Sequence, residues 1–205
     1  GPDQGAGKGV GDVMGLNDFL SNAVKIAGHE SNDDHVVLSS RVRLARNVNG
    51  RTFPGRAKKG DRVETCGLIQ PAVSGLSAMR GGYSESMANL KALEKQLLVE
   101  RHHISREHAA KSAGSALVVN KEQTVCVMIN EEDHLRMQAL MPGLQLKQAW
   151  KKIDKIDTSL EKKLEYAFDD RLGYLTACPT NLGTGIRVSA MLHMPGLVLQ
   201  EQVNQ

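Results

Sequence analysis

Apolar residues in this chain fall into short runs and helical repeats separated by turn chemistry. Leu16, Phe19, Leu20 and Val24 recur at helical spacing and Gly28 follows as a stop signal, which predicts a helix over about 17–27. Asn32-Asp33-Asp34 is a turn, and Val36-Val37-Leu38 reads as a strand leading into Ser39-Ser40-Arg41-Val42-Arg43-Leu44-Ala45-Arg46-Asn47. Residues 50–85 mix Gly, Lys and Arg with scattered apolar positions, and the pattern assigns no element there. Met87, Leu90, Leu93, Leu97 and Leu98 share one face of a predicted helix over 87–98. Residues 116–119 and 124–129 are two β-rich runs, and Asn120-Lys121-Glu122-Gln123 between them makes a hairpin loop.

In the segment Asn130-Glu131-Glu132-Asp133-His134-Leu135-Arg136, the asparagine can cap a helix and the acids suit its positive end. Leu160, Leu164, Ala167 and Phe168 mark another amphipathic helix, and strands are expected at about 173–178 and 185–193. Leu197-Val198-Leu199 reads as part of an apolar helix. Hairpins mixed with helices, without regular β-α-β alternation, point to an α+β fold with a mainly antiparallel sheet flanked by helices.

Composition narrows the classes of function. The 205 residues are 40% hydrophobic and 24% charged, ordinary for a globular protein. Only 3% are aromatic, so the core rests on Leu, Val, Ile, Ala and the eight Met. A net charge of +3 with so few aromatics argues against a base-stacking surface, and no nucleic-acid partner is expected. No apolar run approaches the roughly 20 residues that span a bilayer, so no membrane partner is expected either. Cys66, Cys126 and Cys178 cannot all pair and show no metal-ligand spacing, which favours a cytoplasmic location and no bound metal. The Gly-rich residues 1–13 read as a flexible leader, and Gly1-Pro2 looks like a cleavage scar; residues 14–205 read as one domain. Gly5-Ala6-Gly7-Lys8-Gly9 misses the spacing of a phosphate-binding loop, with no preceding strand and no Ser or Thr after Lys8.

Four arginines and one cysteine carry the candidate chemistry. Arg41 and Arg43, two apart in an extended segment, share a face; they are either a solvated basic strand end or a pair held by an anion such as a triphosphate. Arg136 follows Glu132 by one helical turn, so the two read as an i,i+4 pair. Arg187 opens an apolar strand, where it must be exposed or paired, and His102 and His103 follow a helix. Cys178 stands before Pro179, which biases it to extended backbone, and Asn181-Leu182-Gly183-Thr184-Gly185 follows as a turn. It is either a buried structural cysteine or a thiolate stabilised by nearby cations; Cys66 and Cys126 are assigned as buried and structural.

Three of these segments, in this order, resemble the phosphagen (guanidino) kinase family. Ser39-Ser40-Arg41-Val42-Arg43 is similar to its first phosphate-binding segment. Asn130 to Arg136 is similar to its acidic substrate segment followed by a nucleotide-binding arginine. Cys178-Pro179-Thr180-Asn181-Leu182-Gly183-Thr184 is similar to its cysteine signature. Only 38 residues precede Ser39, and Leu44-Ala45-Arg46-Asn47, Gly185 and Leu192-His193-Met194-Pro195 resemble the bacterial branch that phosphorylates arginine side chains of proteins.

The resemblance implies a guanidino-kinase catalytic fold and transfer of phosphate from ATP, with Mg²⁺, to the guanidinium of protein arginines. It implies that Ser39, Ser40, Arg41, Val42, Arg43, His102, Arg136, Arg187, Val188, Ser189, Ala190 and Met191 bind the nucleotide. His102 is preferred to His103 because the family histidine stands two residues before the Ile-Ser pair, here Ile104-Ser105. Glu132 would orient the substrate guanidinium and Cys178 would sit against it. The implied partners are protein substrates with exposed arginine, a zinc-binding activating adaptor and an unfoldase-protease; a homodimer is left open. The family's later Arg-Gly-x-x-Gly-Glu segment is not in this sequence, which implies a C-terminally truncated catalytic domain with an unpaired sheet edge. Two other readings stay open: a non-catalytic fragment that binds nucleotide or a partner, and a small-molecule guanidino kinase, which the short N-terminus disfavours.

Overall fold

The computed structural model describes residues 14–21 and 36–200. A six-stranded sheet in the order β2-β3-β4-β5-β1-β8 organises them, and every neighbouring pair runs antiparallel. Its strands are β1 (Val37–Arg46), β2 (Tyr83–Ser86), β3 (Ala116–Val119), β4 (Val125–Ile129), β5 (Leu135–Pro142) and β8 (Ile186–Leu192). A small second ladder pairs β6 (Phe168–Asp169) with β7 (Gly173–Tyr174). The helices are α1 (Leu16–Ser21), α2 (Lys59–Ser74), α3 (Ala92–Glu100), α4 (Arg106–Ala109), α5 (Leu146–Glu161) and α6 (Pro195–Leu199). The expected antiparallel α+β class and the hairpin β3–β4 stand.

Strand alternation divides the sheet into two unlike faces. On one, Leu44, Met137, Val127 and Val118 lie side by side across four strands. They join the main core with Ile69 and Val73 of α2 and with Ile153, Ile156 and Leu160 of α5. Helix α5 buries Ala149, Ile153, Ile156 and Leu160, a stripe at helical spacing, while its lysines stay outward. The opposite face is apolar over one half only. There Tyr83, Leu117, Val119, Cys126 and Met128 are covered by Phe19 of α1 and by Met87, Leu90, Leu98 and Ile104. Over β5, β1 and β8 that same face is polar and open.

Several expectations shift. Residues 130–136 form no helix: Asn130 sits at φ +56 in a turn, and Leu135 and Arg136 already belong to β5. The acids suit a helix start, but the antiparallel pairing of β5 with β4 and β1 satisfies the backbone instead. Helix α3 begins at Ala92, where the Glu94 carboxylate accepts the Lys91 N–H at 2.6 Å; Met87 and Leu90 are buried without being helical. Helix α5 ends at Glu161, so Leu164 and Ala167 are buried in a connection and Phe168 stands exposed in β6. Of the strand expected at 173–178, only Gly173–Tyr174 is extended in a ladder. The unassigned stretch holds α2, which starts with the Asp61 carboxylate on the Lys58 N–H and carries Pro71 in its interior. The leader expected at 1–13, the rest of the first helix with its stop at Gly28, and the turn at 32–34 lie outside the described residues. Cys66 and Cys126 are buried as expected, and burial pushes their thiols up to about 11 and about 12.

His103 and His108 are buried and neutral, and burial first of all lowers both to about 4. The unfolded chain takes up these protons near the ordinary histidine value of about 6.5. Their contribution to stability is therefore complete above that value and is lost as pH falls from about 6.5 to about 4. Burial raises Asp133 and Asp157, which act in the opposite sense, so the histidine effect is read as a difference between variants. His108→Gln should gain about 2–3 kcal/mol on the wild type between pH 7 and pH 4.5 in urea unfolding; a constant difference would contradict a neutral buried His108.

Candidate active site

The open half of the sheet is built from arginines. Arg41 and Arg43 lie two apart on β1, with Ser189 and Arg187 of β8 beside them in register. On the other side Gln138 of β5 lies beside Arg43, and Arg136 beside Ala45. Arg41, Arg43 and Arg187 have no carboxylate partner among the described residues, and Arg43 Nε is buried without a hydrogen bond. Burial, followed by the charges of Arg41, Arg136 and Arg187, pushes Arg43 down to about 10. Arg41 is lowered in the same way, by burial and then by Arg136 and Arg187. Converging cations without a counter-charge oppose one another until an anion arrives, and guanidinium groups match phosphate oxygens in a bidentate way.

Three consecutive acids beside this floor have three different surroundings. Glu131 is buried; its carboxylate accepts the Ser105 hydroxyl at 2.6 Å, Arg136 Nη1 at 2.6 Å and the Glu132 N–H at 2.8 Å. Burial pushes Glu131 up, but Ser105 and Arg136 outweigh it and hold the carboxyl below its usual range. Ser105 in turn caps α4 by accepting the His108 N–H. Asp133 is buried as well, and its Oδ1 accepts Asn47 Nδ2 at 2.6 Å and the Ala177 N–H at 2.7 Å. Of the three only Glu132 is solvent-exposed, and it lines the cleft beside the buried Asp133. Partial burial, then the Asp133 and Glu131 charges, raise its carboxyl above the usual range against the pull of Arg136. That makes it a better proton acceptor than an ordinary glutamate.

Cys178 is presented by a loop tied down at both ends. Asp133 holds the Ala177 N–H, and Asn47 Nδ2 also donates to Leu175 O at 3.0 Å. Farther along, Arg46 donates to Thr184 O at 2.8 Å and pairs with Asp157 of α5 at 2.7 Å, its guanidinium 3.6 Å from the centre of the Tyr174 ring. Gly185 sits at φ +66, and a Cβ there would lie 2.5 Å from Ala45 O, so a glycine is required where the loop rejoins the sheet. The half-buried Cys178 Sγ lies 2.9 Å from Thr180 Oγ1, and the 3-10 turn Pro179–Asn181 follows it.

The cleft of ≈ 480 Å³ brings together Arg43, Arg136, Arg187, Glu132 and Cys178. A neighbouring pocket of ≈ 520 Å³ is lined by Ser39, Arg41, His102, Leu140, Ser189, Ala190 and Met191. Arg41 and Arg43, adjacent on one face of β1, join the two. The remaining sequence candidates point elsewhere. Ser40 and Val42 are buried on the core face, where Ser40 Oγ donates to Gly143 O at 2.7 Å and accepts the Gln145 N–H; Val188 stands beside Val42 on that face. Their side chains cannot meet a ligand on the arginine face. Arg136 pairs with Glu131 and not with Glu132, because a strand, not a helix, carries it. His102 lines the pocket, whereas His103 is buried against Gln123. The separate roles of Glu131, Asp133, Asn47 and Arg46 are not visible in the sequence, where the acids read as a helix start and as one acidic segment.

The Asp133 clamp makes a measurable difference to the cysteine. Asp133→Ala removes one of the two acceptors of Asn47 Nδ2 and the acceptor of the Ala177 N–H, at a cost of about 2–4 kcal/mol in denaturant unfolding. Alkylation of Cys178 should also become faster while buried Cys66 and Cys126 stay unreactive. Unchanged stability together with an unchanged alkylation rate would refute the clamp.

Comparison with known proteins supplies a frame for this geometry. The family model for ATP:guanido phosphotransferase, C-terminal catalytic domain, matches residues 68–205. A protein-arginine kinase from Halothermothrix orenii is 42% identical over 194 residues, covering 94% of this chain and 55% of the relative. One from Pelotomaculum thermopropionicum is 43% identical over 191 residues, covering 92% of this chain and 53% of the relative. The chain thus spans about half the length of the curated relatives it matches. Among solved structures, the duplicated taurocyamine kinase of Schistosoma mansoni with bound transition-state-analogue components superposes with a TM-score of 0.77 at 27% identity, over 95% of this chain and 28% of that one. A lombricine kinase gives 0.70 at 26% identity, over 94% of this chain and 56% of that one. The family model spans two thirds of the chain and the likeness to these relatives runs along nearly all of it, so the chain belongs to the ATP:guanido phosphotransferase family.

Proposed function

We propose that this chain carries the active-site half of an ATP-dependent protein-arginine kinase, transferring the γ-phosphoryl group of ATP to the guanidinium of arginine side chains in proteins. The observation that supports it most is the meeting of unpaired Arg43 and Arg187 with Glu132 and Cys178 in one cleft. A guanidinium is a poor nucleophile, because its lone pairs are delocalised and it keeps its proton up to a pKa of about 12 or more. Glu132, raised in basicity, holds the incoming group and accepts that proton. Cys178 stands on the same cleft, where its sulfur favours one orientation of the guanidinium. Arg41, Arg43, Arg136 and Arg187 neutralise the phosphate oxygens, so positioning and charge stabilisation carry most of the rate. The nucleotide base belongs in the pocket beside Arg41, under His102 and against Ser189 and Met191. The products are ADP and a protein phosphoarginine with an acid-labile P–N bond.

Magnesium suits this site through the nucleotide. Among the described residues no group of three His, Cys, Asp or Glu is placed to hold a metal ion, and Mg²⁺ characteristically binds to phosphate oxygens and water with one or two carboxylates. When bound, it supplies further neutralisation of the phosphates that the arginines hold.

The curated relatives quoted above are named protein-arginine kinases, which favours a protein acceptor over a small guanidino compound. Incubation with Mg-ATP and an unstructured protein should give phosphoarginine by mass spectrometry under non-acidic conditions. Glu132→Gln and Cys178→Ala should each lower the rate by about 10²-fold or more with ATP affinity retained, whereas Arg187→Ala should weaken ATP binding itself. Phosphate on free arginine but not on protein would favour a small-molecule kinase. ATP binding that is lost in Arg187→Ala, with no product at all, would favour a non-catalytic half-site. Neither product nor ATP binding would overturn the proposal.

A further inference from the structure

His102 has an uncommon backbone. Its φ is +60, one of three non-glycine residues with positive φ among the described residues. A side chain in this left-handed region needs surroundings that hold it there. Those surroundings come from the sheet below. Gln138 of β5 is 5% exposed, between Arg43 of β1 and Cys126 of β4 in register, and its Nε2 donates to His102 O. The next carbonyl, His103 O, accepts from Cys126 Sγ at 3.0 Å, and the His103 ring is hydrogen-bonded to Gln123 at 3.2 Å. Two side chains adjacent across the β4–β5 ladder thus pin two successive carbonyls of the loop. The loop's own N–H groups bond back to Val99 O and Leu98 O at the end of α3.

Strand β5 therefore presents three different functions at a period of two. Arg136 reaches the cleft, Gln138 holds the loop, and Leu140 lines the pocket that His102 overhangs. Among the described residues lining that pocket His102 alone carries an aromatic ring, and it is Gln138 Nε2 that donates to its carbonyl. We propose that Gln138 is a positioning residue for nucleotide recognition: its amide keeps His102 over the base pocket, so it governs affinity for the base and not for the phosphates. The proposal rests on the reading that the nucleotide occupies this trough. It gives a residue next to the phosphate arginines a role in selecting the opposite end of the ligand.

The test compares ATP with inorganic tripolyphosphate, which offers the phosphates without a base. In titration calorimetry, Gln138→Met, which keeps the volume under the loop and removes the amide, should bind Mg-ATP about five- to tenfold more weakly, the size of one lost hydrogen bond. Its affinity for tripolyphosphate should stay unchanged. His102→Gly should show the same selective loss, and adding Gln138→Met to it should cost nothing more. Equal losses for both ligands, no loss for either, or additive effects in the double variant would overturn the positioning role. Should Gln138→Met not fold, His102→Gly with Gln138→Leu serves the same cycle, with the same outcomes deciding. Wild-type binding of both ligands that is insensitive to Arg187→Ala would instead remove the nucleotide reading on which the role depends.

Discussion

Between Arg41 and Arg43 on β1 stands Val42, which is 1% exposed in the main core. The strand must supply aliphatic surface to α5 and cations to the opposite face, alternating at every residue. It can do so only while its ladders to β5 and β8 hold register, because a slip of one residue would put guanidinium groups into the core. The apolar side provides the force that keeps it in place: Val42, Leu44, Ile153, Ile156 and Leu160 are lost from water together. The arginine floor is thus maintained by packing on the reverse of the same strand. Its mutual repulsion is tolerated there because the core, not the site, holds the strand.

The acidic segment applies the same division at shorter range. Glu131 and Asp133 are buried and fully engaged, the one on Arg136 and Ser105, the other on Asn47 and the cysteine loop. Their burial leaves Glu132 between two fixed negative charges, and these charges help to raise its carboxyl. A structural role for the outer two acids and basicity for the middle one are therefore a single arrangement. The loop that carries Cys178 depends on it as well, since Asp133 ties that loop to β1 through Asn47.

Some of this was legible along the chain. The β3–β4 hairpin was, because its two apolar runs and polar loop are contiguous and pair locally. The buried fate of Cys66 and Cys126 was also readable. Helix α2 was not, since its buried positions Thr65, Cys66, Ile69 and Val73 are few and Pro71 interrupts the pattern. Helix α5 was caught only at its end, because lysines flank its apolar stripe. The reading of residues 130–136 as a helix followed real capping chemistry, which lost to a β5 strand paired on both sides.

By itself the sequence determined the chemical inventory and its order: paired arginines at a period of two, three acids before another arginine, and a cysteine before a proline and a glycine turn. These are contiguous strings, so their spacing already limits what they can do. Tertiary structure alone decided which of the three acids is exposed, which arginine is paired, which faces Ser40, Val42 and Val188 occupy, and which side chain bonds the His102 carbonyl. The reason is that each of these depends on antiparallel register between strands distant in sequence, such as Arg43 with Arg187 and Gln138. Register is set by the burial of the other face, and a local string of residues carries no record of that choice.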